Sequence, residues 1–326
     1  MLVAYRLSDT GPEIVPIEAD GRVPADASWV DVFQPTAEED RATEAFLGAS
    51  LPTREETQEI EFSSRFYTED GATYMTAPLL TGIDIGKPVL TPFTIVVARD
   101  RIATLRYEDL RAFRQFLARA IKPGSGCISA PGVFVGLIEA VVDRTADVLE
   151  RISADIDRIN SEVFGVGRAD ARQRGRRLEL MMGDIGVQGD LAAKARESLA
   201  SLERLVQFAT LALPSSFAKG SSKQRLKLAG RDIRSLEDQV TFLSNKINFL
   251  LDATLGLISV QQNEVIRILT VATGIFFPPT LIATIYGMNF DFMPELHWGI
   301  GYPLALVVMI ASAVLPYIYF RRRGWL

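Results

Sequence analysis

Val265–Tyr286 reads VIRILTVATGIFFPPTLIATIY and Gly301–Phe320 reads GYPLALVVMIASAVLPYIYF. The first holds one charge, Arg267, and the second holds none. About 20 apolar residues cross a hydrocarbon core about 30 Å thick, so both are expected to span a membrane. The alternative, a pair of buried core helices in a soluble protein, fits poorly with length and freedom from charge.

The flanks orient the pair. Arg321-Arg322-Arg323 directly follows the second span, and the loop between the spans has no Lys or Arg. Positive residues stay on the cytoplasmic side, which places the C-terminus there and, across a two-span hairpin, the 264 preceding residues as well. The start, MLVAYRLSDTG, lacks the basic region and apolar run of a signal peptide. The expected location is the inner (cytoplasmic) membrane, with both termini cytoplasmic. Trp298 and Tyr302 at one boundary, with Tyr317, Tyr319 and Trp325 at the other, suit aromatic belts.

Charge divides at the same point. Val265–Leu326 hold four basic and two acidic residues of a total of 35 and 40, which leaves residues 1–264 with 31 basic, 38 acidic and a net of −7. Nucleic-acid binders carry basic patches, so no nucleic-acid partner is expected. Cys127 is the one cysteine and His297 the one histidine, which excludes internal disulfides, multi-thiolate zinc sites and His-rich metal or catalytic centres. No phosphate-binding loop appears, since Gly124-Ser125-Gly126 reads as a turn before a helix. With no catalytic constellation in residues 1–264, an enzyme is not expected, and no cofactor is implied.

The 326 residues are read in three parts. Residues 1–130 form a cytoplasmic α/β domain with a mixed sheet and helices, an α+β arrangement. Strands are expected at 2–7, 28–33, 60–67, 72–80, 89–98 and 101–107, with short helices at 36–46 and 53–59, each opening near a Thr. Residues 131–264 form long cytoplasmic helices. One covers 138–164 with an acidic outer face, a second covers 168–213, and a turn at 214–222 leads into a third that starts near Lys223. Residues 265–326 form the transmembrane hairpin. The third helix continues into the first span without a breaker before Pro278, so stalk and span form one rod. Pro278 and Pro279 remove two backbone donors and are expected to bend it.

Within the first span, Asn263, Ile266, Thr270, Thr273, Phe277, Thr280, Thr284 and Gly287 are spaced 3, 4, 3, 4, 3, 4, 3, with Leu269 beside them. Such a row lies on one helix face and drifts slowly, as a heptad face does. Polar groups in hydrocarbon are costly, so the row faces another helix or water. A packing seam and a pore lining both satisfy this. One span per copy cannot enclose a pore, so the second reading needs a symmetric oligomer. Ile266 and Phe277 would then form apolar rings able to gate by dewetting.

The first span ends Tyr286-Gly287-Met288-Asn289, and the chain continues Phe290-Asp291-Phe292-Met293-Pro294-Glu295-Leu296. Taken alone, Gly287-Met288-Asn289 also reads as a helix C-cap with Gly and Asn in left-handed conformations. With two terminal spans, a large preceding domain and the tail RRRGWL, the sequence resembles the CorA family of magnesium and cobalt transporters. Its signature is Gly-Met-Asn at the end of the first of two C-terminal spans. The longer YGMNF-x-x-MPEL form resembles the magnesium-type branch.

The resemblance implies a funnel-shaped homopentamer in the lipid bilayer, with the long helix and first span lining a pore for Mg²⁺ and also Co²⁺. It implies that Gly287, Met288 and Asn289 select the ion, with Asn289 meeting it through its bound waters. Asp291 and Glu295 would concentrate cations at the outer mouth. It further implies that cytoplasmic Mg²⁺ regulates the channel at sites between subunits. Where the family carries an acid on the stalk, this chain has Leu228. Asp232, Glu237 and Asp238 are the nearby candidates. The same scaffold carrying Zn²⁺ or Ni²⁺, and a non-conducting membrane sensor, are the competing expectations.

Overall fold

The computed structural model describes residues 1–122, 124–165, 171–214, 217, 220–289 and 293–325. They divide into two compact units: Met1–Glu162 with Gly183–Leu250, and Val163–Met182 with Leu251–Leu326.

The first unit opens with strands β1 (Leu2–Ser8), β2 (Gly11–Val15) and β3 (Trp29–Phe33). Helices α1 (Ala37–Leu47), α2 (Arg54–Thr57) and α3 (Phe62–Arg65) follow. Then come β4 (Phe66–Glu69), β5 (Ala72–Thr81), β6 (Val89–Ala98), β7 (Arg101–Arg106) and α4 (Arg111–Ala120). The described strands form one sheet in the order β2-β1-β3-β7-β6-β5-β4. β3 and β7 pair in parallel, Trp29 opposite Ile102 and Val32 opposite Leu105, while the other neighbours are antiparallel. The sheet is therefore mixed, as expected.

Local signals explain most element starts. Thr36 and Thr53 each accept a hydrogen bond from the backbone N–H three residues on, and Glu39 and Glu56 return the bond to the cap. Two expectations are corrected. The segment read as a strand at 60–67 begins with the helical turn α3, and extended pairing starts only at Phe66. β2 was not expected, because Gly11-Pro12-Glu13 carries no strand pattern; antiparallel pairing with β1, Leu7 opposite Pro12, creates it.

At the centre of the sheet, Trp29 is fully buried, stacked on Tyr5 at 4.1 Å and met edge-on by Phe113 and Phe116 of α4. Asp31, also buried, accepts from Thr104 Oγ1 at 2.8 Å and pairs with Arg106 at 2.8 Å. The Arg106 guanidinium lies over the rings of Phe33 and Phe113. This buried ion pair is hydrogen-bonded and enclosed by aromatics, the condition under which such a pair is tolerated.

Three long helices follow: α5 (Ala130–Gly165), α6 (Ala171–Ala212) and α7 (Gly220–Tyr286). Within the first unit they pack through rows such as Leu149, Ile152, Ile156 and Ile159 of α5, Leu199, Leu202 and Leu205 of α6, and Ile233, Val240 and Leu243 of α7, all buried. Arg225 of α7 clamps Glu139 of α5 through Nε at 2.9 Å and Nη2 at 2.5 Å. Arg234 pairs with Glu203 of α6 at 2.9 Å. The turn read at 214–222 lies partly outside the described residues, as do the first three residues of the helix read at 168–213.

The second unit holds the rest of α7, a short 3₁₀ turn at Pro294–His297 and α8 (Gly301–Arg322). α7 is 67 residues long and stays helical through Pro278 and Pro279. α8 has no buried residue among those described. Both apolar segments are long enough to cross a bilayer.

Candidate ion pathway on the first apolar helix

α7 and α8 meet along a narrow line. Val271 is 4% exposed, and a methyl group placed on Gly274 would stand 2.8 Å from the Phe320 ring. Gly274, Ile275, Pro278 and Ile282 are half-buried on the same side of the helix. Without the N–H groups of Pro278 and Pro279, the carbonyls of Gly274 and Ile275 lose their usual helical donors.

The Thr-rich row lies elsewhere. At about 100° per residue, its mean direction is roughly 130° from the face that meets α8. Asn263, Ile266, Leu269, Thr270, Thr273, Phe277, Thr280 and Thr284 are all exposed; Ile266 is 61% and Phe277 63% open. Within one chain, α8 therefore does not cover the row. Thr270, Thr280 and Thr284 donate to the carbonyls of Ile266, Phe276 and Thr280 at 2.8, 2.7 and 2.7 Å. Each hydroxyl spends its proton on the helix and turns its lone pairs outward as acceptors.

The same spacing continues back along α7 to Ser259, Gly256 and Asp252, all exposed. Sequence reading stopped the row at Asn263. The signal for its extension was the same seven-residue interval.

At the end of α7, Gly287 N–H donates to Ala283 O at 2.9 Å and Met288 N–H to Ile285 O at 3.2 Å, so the last turn tightens. Neither Gly287 nor Asn289 has a positive φ, which overturns the left-handed C-cap reading. A methyl group at Gly287 would meet nothing nearer than Ala283 O at 3.2 Å. Gly287, Met288 and Asn289 are all exposed. Asp291 lies outside the described residues; Glu295 is on the 3₁₀ turn.

The regulatory candidates lie on α7 in the first unit. Asp232 and Asp238 are exposed and Glu237 is half-buried. Partial burial pushes the Glu237 carboxyl above its ordinary pKa, and the nearby Glu203 and Asp238 carboxylates push it the same way. Leu228 is 54% exposed. Among the described residues, no three His, Cys, Asp or Glu side chains converge as a metal-binding group.

The model of a family described as "CorA-like Mg2+ transporter protein" matches residues 24–322. The magnesium transport protein CorA of Haemophilus influenzae is 32% identical over 326 residues and is covered fully, as is this chain. The protein of the same name in Escherichia coli K12 is 33% identical over 330 residues, again with full coverage of both. The solved CorA magnesium transporter of Methanocaldococcus jannaschii superposes with a TM-score of 0.74 at 15% identity, covering 100% of this chain and 99% of that one. At that identity the superposition speaks for the fold.

Proposed function

Because the chain belongs to the CorA-like Mg²⁺ transporter family, we propose that it conducts Mg²⁺ passively into the cell, with Co²⁺ as a second substrate. The pore is a homopentamer in the inner membrane, both termini are cytoplasmic, and five copies of α7 line the passage. The observation that carries this is the exposed Thr-rich row, turned away from the one apolar helix of its own chain that packs on α7. Symmetric copies give such a row a shared, water-filled surface.

The chemistry of the row suits a hydrated cation. Mg²⁺ is small, holds its waters tightly and prefers oxygen ligands. Outward-facing hydroxyl lone pairs of Thr270, Thr280 and Thr284 accept from those waters without stripping them. Five Asn289 carboxamides form the outer ring, where a neutral oxygen binds the ion's water shell and releases it. A carboxylate ring there would hold the ion harder. Gly287 keeps the approach open, and Met288, a soft thioether, packs rather than binds. Asp291 and Glu295 give ten carboxylates around the mouth and raise the local cation concentration. Ile266 and Phe277 supply apolar constrictions. A negative interior of 100 mV favours influx of a divalent ion by about 4.6 kcal/mol, so no nucleotide is needed.

Cytoplasmic divalent cations close the channel by screening carboxylates that face one another between subunits, with Asp232, Glu237 and Asp238 as the candidates. The deciding experiment is Mg²⁺ uptake by proteoliposomes holding wild type or Asn289→Ala. Uptake by wild type and its loss in the variant support the reading. Uptake that survives the substitution removes Asn289 from the filter, and a wild type that conducts nothing favours a non-conducting sensor. Uptake of Zn²⁺ or Ni²⁺ in place of Mg²⁺ would shift the substrate on the same scaffold.

A further inference from the structure

The end of α6 and the start of α7 border a cleft of about 640 Å³ that lies wholly within the first unit. Small-molecule sites fall in the range of about 300–1,000 Å³ and are lined mainly by apolar groups with a few polar ones. The floor of this cleft is apolar: Leu213, Phe217 and Leu226 are buried, while Leu211 at the edge is 86% exposed. One wall is charged. Lys223, Lys227 and Arg231 of α7 line the cleft at intervals of four residues, which sets them on one helix face. All three are exposed, and among the described residues none is paired with a carboxylate. Arg234, the next cation along the wall, is held by Glu203. No acidic side chain is among the described lining residues.

The place of these cations on the helix adds a second reason for an anion. The start of a helix is the positive end of its dipole, where acids are favoured and cations are not. α1 and α2 follow this, with Glu38, Glu39 and Asp40 in one first turn and Glu55 and Glu56 in the other. α7 does the opposite: its first turn has no acid and holds Lys223, with Lys227 one turn on. A bound anion relieves that repulsion.

Floor and wall fit two halves of one molecule. Leu211, Leu213 and Leu226 are aliphatic, and Phe217, 2% exposed, offers no open ring face for a planar base to stack on. The apolar half is therefore an alkyl chain. The eight residues from Lys223 to Arg231 rise about 12 Å, farther than one carboxylate can serve, so the head carries several anionic groups. Lysine and arginine both bind phosphate. We propose that the α6–α7 cleft binds a long acyl chain carried on a polyphosphate head, the chemistry of an acyl-coenzyme A. Such binding is independent of the pore proposed above.

The test adds palmitoyl-coenzyme A, with a photoreactive diazirine in its acyl chain, to the full chain in phosphatidylcholine nanodiscs and maps the labelled peptides by mass spectrometry. Labelling is expected on residues 206–213 and 223–234, and excess palmitoyl-coenzyme A should lower it several-fold. Palmitate or coenzyme A alone at the same concentration should not. Labelling should also fall several-fold in Lys227→Gln/Arg231→Gln and persist in Lys227→Arg/Arg231→Lys, both of which alter exposed side chains only. No labelling of these peptides overturns the proposal, as does a glutamine variant that labels like wild type. Competition by palmitate equal to that by palmitoyl-coenzyme A overturns the polyphosphate head, and equal competition by coenzyme A overturns the acyl chain.

Discussion

Phe320 of α8 occupies the space that a side chain on Gly274 of α7 would fill: a methyl carbon there would be 2.8 Å from the ring edge. The ring is also stacked on Trp325 at 5.6 Å, so the contact ties the end of α8 to the middle of the apolar stretch of α7. Gly274→Leu is expected to overpack this crossing and cost about 1–3 kcal/mol. Phe320→Ala in the same chain should return most of that loss. Melting of the detergent-solubilised single and double variants measures both, and additive losses would show that the two residues do not share the crossing.

Gly287 offers a test of the proposed pore that can be read apart from the fold. Its φ lies outside the left-handed region, and an added methyl meets only the Ala283 carbonyl oxygen at 3.2 Å and that of Thr284 at 3.5 Å. Gly287→Ala should change melting by no more than about 1 kcal/mol, because the site is exposed and the Ala283 carbonyl has only to give by a few tenths of an ångström. On the proposed pore, Mg²⁺ uptake is expected to fall sharply, because the methyl would narrow the approach beneath the proposed ring of Asn289 side chains. A variant that melts like wild type and transports like it would remove the role given to this glycine.

The Asp31–Arg106 pair is the costliest polar element of the sheet to break. Asp31→Ala leaves the Arg106 guanidinium buried against Phe33 and Phe113 with its carboxylate gone, which costs about 3–5 kcal/mol. Trp29 lies close by and reports the loss. Urea unfolding monitored by its fluorescence, with Trp298 and Trp325 replaced by Phe, should show the midpoint move down. An unchanged midpoint would mean that water reaches the site.

Glu237 makes stability depend on pH. Its folded-state pKa is raised by partial burial and by the neighbouring carboxylates Glu203 and Asp238, so the folded chain holds the proton more tightly than the unfolded chain. The stabilisation is complete below the unfolded carboxylate pKa of about 4.3 and is lost as pH rises through the folded value. Glu237→Gln is therefore expected to flatten the melting temperature across that acidic window and raise it slightly at neutral pH. Added Mg²⁺ should raise wild-type melting at neutral pH more than it raises the variant's.

The parts of the architecture that were legible in the sequence share a cause: each was written in a local period or in composition. The apolar runs at 265–286 and 301–320 agree closely with the end of α7 and with α8. Thr36 and Thr53 marked helix starts because a hydroxyl three residues before an N–H is a local event. The parallel pairing of β3 with β7 joins residues about 73 apart, as from Trp29 to Ile102, and no local pattern encodes it. β2 likewise exists because β1 supplies its partners. At the site, the spacing of the Thr row was readable. That Gly274 meets Phe320 on the opposite side was not, because glycine there signals a neighbour rather than a turn.

The strand order has a consequence for how the protein is made. The last partner that β3 waits for is β7, which ends at Arg106, so every described strand of the sheet has left the ribosome long before Val265 is translated. Pairing inside the sheet need not compete with bilayer insertion, and the nascent chain presents its greasiest stretches only after the sheet's non-local pairings have had time to form.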